Sequence, residues 1–282
     1  MTQPELDHLF AGAIPQIYDR YLTPLIFDGY ALDLVARVRA APATRILEVA
    51  AGTGVVSRAL APALPDAQIV ATDLNQPMLD YAATQFQALQ PDATNLRWQQ
   101  ADAMALPFDD ASFDTVVCQF SIMFFPDRVA AYREALRVLT PGGRFIFNVW
   151  DRIEDNEVTL AVSNAVAALF PEDPPNFLPR TPHGYHDVDQ IRRDVTEAGF
   201  TSVGPTAIEL ETIALRSRAP SPRDPAIAYC AGTPLRNEIE ARDPTRLDEA
   251  IEAATAAVAA QFGDADIDGK IQAHIITAVR PD

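Results

Sequence analysis

Positive charge is scarce in this chain of 282 residues: 22 Lys and Arg stand against 39 Asp and Glu, for a formal net charge of −17. Holding a nucleic acid by its phosphates needs clustered cations, and here they are scattered, so neither RNA nor DNA is expected as a substrate. Cysteine is nearly absent. Cys118 and Cys230 are too few and too far apart for a disulfide framework or a zinc site, and both read as ordinary buried or semi-buried residues; no metal site is expected. Long apolar runs are missing too. None approaches the ~20 residues that span a bilayer, and the acidic start Met1 to Asp7 lacks the basic-then-apolar order of a signal peptide. These absences predict a soluble, cytoplasmic protein. What is present is enough apolar material, 48% of residues, for one large domain with a cap, and no internal repeat or low-complexity tract interrupts it.

The chain is organised around Arg45 to Arg58, R-I-L-E-V-A-A-G-T-G-V-V-S-R. Ile46-Leu47-Glu48-Val49 is a short run of strand formers, and Val55 to Leu64 has apolar residues at helical spacing, which puts Gly52 and Gly54 on a strand-to-helix turn. Such a turn lets the backbone come close to a ligand, with the first free N–H groups of the helix facing it. Three details select the ligand. A dinucleotide fingerprint needs a third glycine, but Val55, Val56 and Ser57 follow Gly54. Glu48 would repel a pyrophosphate and suits an ammonium. Asp73, closing the apolar run Ile69-Val70-Ala71-Thr72, is placed to accept hydrogen bonds from both hydroxyls of a ribose. A ribose and an ammonium without phosphates describe S-adenosylmethionine.

With these residues in hand, Glu48-x-Ala50-x-Gly52-x-Gly54 resembles motif I of the class I S-adenosylmethionine-dependent methyltransferases. Asp73-Leu74-Asn75-Gln76-Pro77-Met78-Leu79 is similar to their second motif, in which the ribose acid is followed by a residue that packs on adenine. Gln100 to Phe108 is similar to the adenine-edge motif, and Arg137 to Gly143 to the turn before the fifth strand. The four motifs cover roughly 45 to 150, in order and in spacing, and within the superfamily the chain looks most like the ubiquinone/menaquinone-biosynthesis branch of small-molecule methyltransferases. Ala50 departs from the pattern, since the family usually has glycine there. The resemblance implies cofactor contacts at Tyr21, Glu48, Ala50, Gly52, Gly54, Asp73, Leu74, Met78, Asp102, Ala103, Gln119 and Phe120. It also implies an α/β fold: a Rossmann-like, seven-stranded, mostly parallel sheet whose last strand is antiparallel, with helices on both faces and a helical cap.

Along the chain, residues 1–43 read as an arm of helices broken at Pro15 and Pro24, either packed on the sheet edge or, as the resemblance suggests, folded over the cofactor through Tyr18 and Tyr21. Residues 44–150 alternate strands near 45–50, 68–73, 95–100, 113–119 and 143–150 with helices near 54–63, 77–90 and 127–139, the pattern of a parallel sheet with its site at the strands' C-terminal ends. Asp127 is a candidate N-cap. A first cap insertion covers 151–186, with a helix over 157–170 and a proline-dense loop. The core resumes over 187–216, with a helix at 187–198 and a strand at 203–215. A second cap insertion, 217–268, holds helices near 222–241 and 245–262, and the last core strand lies in 269–282.

Methyl transfer from a sulfonium is an in-line displacement, so positioning and desolvation do most of the work, with a base added when the nucleophile is a hydroxyl. His183, Tyr185 and His186 are either general bases at the entry to the cap or turn residues capping the next helix; Tyr18 and Tyr21 compete for an orienting role. His274 reads as structural and His8 as exposed. Aromatic residues concentrated in the cap predict a small, at least partly apolar acceptor, and Arg180 and Arg236 are each candidates to hold one carboxylate. The rival readings are a nucleotide-dependent oxidoreductase and a non-catalytic S-adenosylmethionine-binding or partner-stabilising protein of the same fold. The oligomeric state is not legible.

Overall fold

A computed structural model describes residues 14–201 and 208–282; His8, the first thirteen residues of the arm and positions 202–207 lie outside the described residues. Seven strands form one sheet: β1 (Arg45–Glu48), β2 (Gln68–Asp73), β3 (Leu96–Gln100), β4 (Phe113–Gln119), β5 (Leu139–Trp150), β6 (Glu209–Ala219) and β7 (Ile267–Val279). Their order is β3-β2-β1-β4-β5-β7-β6, with the last strand antiparallel. β1 pairs in parallel with β2 on one side, Leu47 opposite Val70, and with β4 on the other, Leu47 opposite Val116. The chain order therefore reverses between β1 and β4, and that reversal opens the crevice where sheets of this kind bind ligands.

The sheet forms because its central strands are apolar on both faces. Ile46, Leu47, Val116 and Val117 are all fully buried, as strands covered by helices on either side must be. Val56 and Leu60 from the helix Val55–Ala63, Leu34 and Val38 from Asp28–Arg39, and Phe86 from Gln76–Leu89 pack against Ile46, Ile69, Val117 and Ile146 in one core. These helices come from segments whose apolar residues recur at three and four.

The chain divides into two compact units. One comprises Tyr30–Val149, His186–Ile213 and His274–Asp282 and contains the glycine-rich turn. The other comprises the chain up to Gly29, Trp150–Tyr185 and Ala214–Ala273. In this second unit the helices Glu157–Leu169, Arg223–Gly232 and Leu247–Phe262 pack on one another, and the buried Tyr229 and Thr159 hydroxyls share a 2.7 Å hydrogen bond. Lys270 is fastened there by its side chain to Asp155 (Nζ–Oδ1 2.8 Å) and by its backbone N–H to Glu157. Among the described residues no helix is long and apolar enough to cross a membrane.

Several elements differ from the sequence expectation. The arm is not broken at Pro24: the described helix runs from Ile14 through Arg39, with Tyr18–Phe27 in the wider π spiral. An α-helical ladder would clash the proline ring with the carbonyl four residues back; the π ladder moves the bonds one residue further, as in Asp28 N–H to Thr23 O. Pro15 stands in the first described turn, Ile14–Ile17. The single helix expected near 222–241 is two, Arg223–Gly232 and Leu235–Arg242, because Pro234 forces Thr233 into an extended conformation. β5 starts at Leu139 rather than near 143, since Gly142 and Gly143 exchange backbone hydrogen bonds with Arg280 at the end of β7. β6 runs on to Ala219, beyond the expected end. Asp127 is the N-cap it was expected to be, its Oδ1 accepting the Ala130 N–H at 2.9 Å.

Candidate cofactor site

The turn after β1 is built from residues in unusual backbone states. Ala50, Gly52 and Gly54 all have positive φ, of 54°, 57° and 81°. The two glycines are required for different reasons. A Cβ on Gly54 would lie 2.7 Å from the Trp98 ring, so packing of the loop on β3 demands its absence. A Cβ on Gly52 would meet nothing within 4 Å, which marks the open side from which a ligand reaches the backbone. Ala50 holds the left-handed conformation without glycine's freedom, at a cost of about 1 kcal/mol. Thr53, between the glycines, is buried with its hydroxyl unpartnered.

Two carboxylates close the neighbouring strands. Asp73, at the end of β2, accepts the Gly52 N–H on Oδ2 at 2.8 Å and the Asn75 N–H on Oδ1 at 2.8 Å. Oδ1 also accepts weakly from the Asn75 side-chain amide at 3.4 Å, a bond that a ribose hydroxyl could replace, and Oδ2 keeps a second lone pair. Burial raises its pKa against these hydrogen bonds. Glu48, at the end of β1, is only 2% exposed, and the Ser57 hydroxyl donates to its Oε2. Burial pushes its pKa up to about 8, opposed by Ser57 and the Arg58 charge and assisted by the charge on Asp73.

The remaining cofactor candidates line the same strand ends. Leu74 is 55% exposed immediately after Asp73, one of three large exposed hydrophobic residues among those described, with Leu32 and Leu89, while Met78 is buried in the first turn of the following helix. Gln100 ties this segment to β3 through Leu74 O. Asp102 and Ala103 form a tight turn beyond β3, half-buried, with Asp102 Oδ1 accepting the Met104 N–H at 2.8 Å. Gln119 ends β4, and Phe120 follows with a φ of 51°. Tyr30 packs edge-on against the Phe120 ring, and Asn148 accepts the Phe120 N–H through both its backbone oxygen and its Oδ1.

The structure brings the twelve-residue cofactor set together in one unit with the exception of Tyr21. Tyr18, Tyr21 and His183 belong to the second unit, and His186 to the first. Tyr18 stacks on Phe27 (5.2 Å), Phe27 packs against Trp150 (6.1 Å) and Trp150 against His183 (6.1 Å), so two of the three proposed catalytic residues end one aromatic row. His183 is buried, and its Nδ1 lies 2.7 Å from Asp151 O. A carbonyl only accepts, so Nδ1 carries a proton and donates it to Asp151 O. Tyr21 lies under the Arg20 guanidinium at 5.0 Å. The two candidate carboxylate holders have partners of their own: Arg180 bonds the buried Glu238, and Arg236 bonds Glu240. His274 is buried on β7 and shares a hydrogen bond with Thr212, in keeping with a structural place.

Sequence reasoning missed Ser57 and Asn148. Ser57 lies nine positions after Glu48, and only the strand-turn-helix geometry shows that it turns back onto the carboxyl. Ser121 Oγ lies 3.3 Å from Ala50 O and 3.1 Å from Gln119 O, joining the ends of β4 and β1. A separate shallow cavity of about 400 Å³ is lined by Arg133, Arg137 and Arg280 at the opposite ends of the strands. Its arginines hold Glu197, Glu134, Asp110 and the carbonyls ending the helix Arg128–Val138, so it is no match for the site.

A cofactor with a ribose and an ammonium fits these groups. Acid stands at both strand ends, Gly52 leaves open room, and Arg58, the cation nearest the turn in sequence, gives its Nη1 to Thr53 O rather than forming a phosphate clamp.

Comparison with known proteins agrees. Residues 46–143 match the family model described as a methyltransferase domain. A demethylmenaquinone methyltransferase of Deinococcus radiodurans is 35% identical over 143 residues, covering 50% of this chain and 58% of that protein. A second enzyme of that name, from Thermus thermophilus, is 40% identical over 102 residues, covering 36% of this chain and 45% of its own length. The chain thus spans about half the length of these relatives. In fold it resembles the YcgJ protein of Bacillus subtilis, with a TM-score of 0.56 at 20% identity over 90% of this chain and 99% of that one.

Proposed function

We propose, for a chain whose residues 46–143 belong to the class I S-adenosylmethionine-dependent methyltransferases, that it transfers a methyl group to oxygen, carbon or nitrogen of a small, partly apolar acceptor in the cytoplasm. The observation that carries this reading is the fastening of Gly52 to Asp73 beneath an open approach, with a second acid, Glu48, one strand away. Glu48 and the turn Ala50–Gly54 would hold the amino-acid end of the cofactor, Asp73 its ribose, and Leu74, Met78, Asp102 and Ala103 its adenine. Gln119 and Phe120 would line the side of the site where a bound cofactor would present its electrophilic methyl group. The chain's own residues bind, orient and exclude water.

The acceptor is a quinol or phenol in this reading, because two relatives are demethylmenaquinone methyltransferases. The arm 1–43 and the insertions 151–186 and 217–268 carry acceptor choice. His183 serves as base in this reading, its ring oriented by the Nδ1–H bond to Asp151 O. His186 and Tyr18 are the next candidates.

Calorimetric titration with S-adenosylhomocysteine, alongside nicotinamide cofactors, tests the site. Binding of the first alone supports it; binding of a nicotinamide cofactor instead would replace it with the oxidoreductase reading. A non-catalytic S-adenosylmethionine-binding protein would bind and yet yield no demethylated cofactor with any quinol, phenol or amine.

A further inference from the structure

Four groups that respond to charge surround the end of β1, and they come from three elements. The helix Val55–Ala63 contributes the Ser57 hydroxyl, which donates to Glu48, and Arg58, whose charge favours the ionised carboxyl. β2 contributes Asp73, whose charge opposes ionisation, and β4 contributes Cys118, a fully buried thiol whose own ionisation Glu48 disfavours. Glu48 itself is 2% exposed and Asp73 7% exposed. Two carboxyls this deep, on adjacent strands and with no salt bridge to either among the described residues, cannot both carry full charge at low cost. Asp73 has two backbone N–H donors to stabilise its charge; Glu48 has Ser57.

Resting on the methyltransferase reading, we propose that Glu48, buried at the end of β1 and oriented by Ser57 as a positioning residue, rests as a proton-bearing carboxyl that releases its proton to solvent when a ligand ammonium enters the Ala50–Gly54 turn. The charge balance closes. A neutral carboxyl and an ammonium cation become a carboxylate beside an ammonium, and one proton leaves to the buffer. The ammonium need not touch Glu48, since a positive charge in the turn acts through a poorly screened interior. Burial that raises the Glu48 pKa to about 8 agrees with a protonated resting state near neutrality.

The experiment is calorimetric titration of the full chain at pH 7 in two buffers of different ionisation enthalpy. One probe is S-adenosylhomocysteine; the other is 5′-methylthioadenosine, which has the ribose and adenine but no ammonium. About one proton should be released per S-adenosylhomocysteine and none per methylthioadenosine. Affinity for the first should then rise close to tenfold per pH unit between about pH 6 and 7.5, with affinity for the second flat. Glu48→Gln, which imitates the protonated carboxyl in shape, should abolish the release. Ser57→Ala should keep the release but move its pH midpoint up by roughly one unit, the worth of one hydroxyl donor to a carboxylate. A purely structural serine would leave that midpoint where it was. Binding of S-adenosylhomocysteine without proton release overturns the proposal and leaves the cofactor site standing. No binding of either probe overturns the methyltransferase reading and this proposal with it.

Discussion

Asp73 Oδ2 accepts the Gly52 N–H at 2.8 Å, so the acid that closes β2 also fastens the turn that closes β1. One side chain thereby sets the shape of the turn and, in the proposed reading, would also hold the cofactor ribose. Asp73→Ala should lower affinity for S-adenosylhomocysteine by at least about tenfold and stability by roughly 1–3 kcal/mol, because the Gly52 and Asn75 N–H groups lose their acceptor. Titration and chemical denaturation measure the two effects separately. Lost affinity at undiminished stability would show that the turn holds itself.

Glu48 should leave a signature in the pH dependence of the ligand-free protein. Its folded pKa, about 8, lies above the ordinary 4.5, so between those values the folded state keeps a proton that the unfolded chain has released. Stability attributable to this group is therefore greatest below about pH 4.5, falls as pH rises toward 8, and levels off beyond, a change on the order of 5 kcal/mol. Glu48→Gln should flatten that part of the profile. Superimposable wild-type and variant curves from denaturant titrations at pH 5 and 8 would contradict it.

Ala50 and Phe120 end neighbouring strands, both left-handed and neither a glycine. Ala50→Gly relieves about 1 kcal/mol of backbone cost but frees the unfolded chain by about 0.4–1 kcal/mol, so the melting temperature should move by no more than about 2 °C. A β-branched residue has no such compensation. Ala50→Val should cost roughly 1–3 kcal/mol, and a melting temperature equal to wild type would argue against the left-handed turn.

Asn148 is fully buried and holds the Phe120 turn through Oδ1, while its Nδ2 has no hydrogen-bond partner among the described residues. Asn148→Ala should destabilise by roughly 1–3 kcal/mol and weaken S-adenosylhomocysteine binding as Phe120 relaxes. Asn148→Asp keeps the accepting oxygen and should bind better than the alanine variant, most clearly at low pH, where the buried acid is protonated. Equal binding by the two variants would remove Asn148 from the support of the site.

The sheet was legible because its signals are local. Ile46-Leu47 and Val116-Val117 are apolar on both faces, as only strands covered by helices are, and the glycines between Glu48 and Val55 admit a single kind of connection. Asp73 was found for the same reason, standing at the end of an apolar run in register with the first. Pro24 misled because a proline in a helical pattern ordinarily ends it, and nothing local reveals a neighbouring π spiral. The pairing of Arg180 with Glu238 joins residues 58 positions apart, and the Ser57–Glu48 bond depends on where a helix turns back. Contacts of that kind belong to the folded chain and leave no periodic trace.

Lys270 is the chain's one lysine, and its ammonium is engaged with Asp155. Reagents that modify primary amines therefore find a single side-chain target on a surface whose other fixed positive charges are guanidinium groups. A fluorophore or tether introduced through amine chemistry would report from the start of β7 and from the N-terminus alone. Reductive methylation of Lys270, which keeps its charge, would leave the ion pair with Asp155 in place.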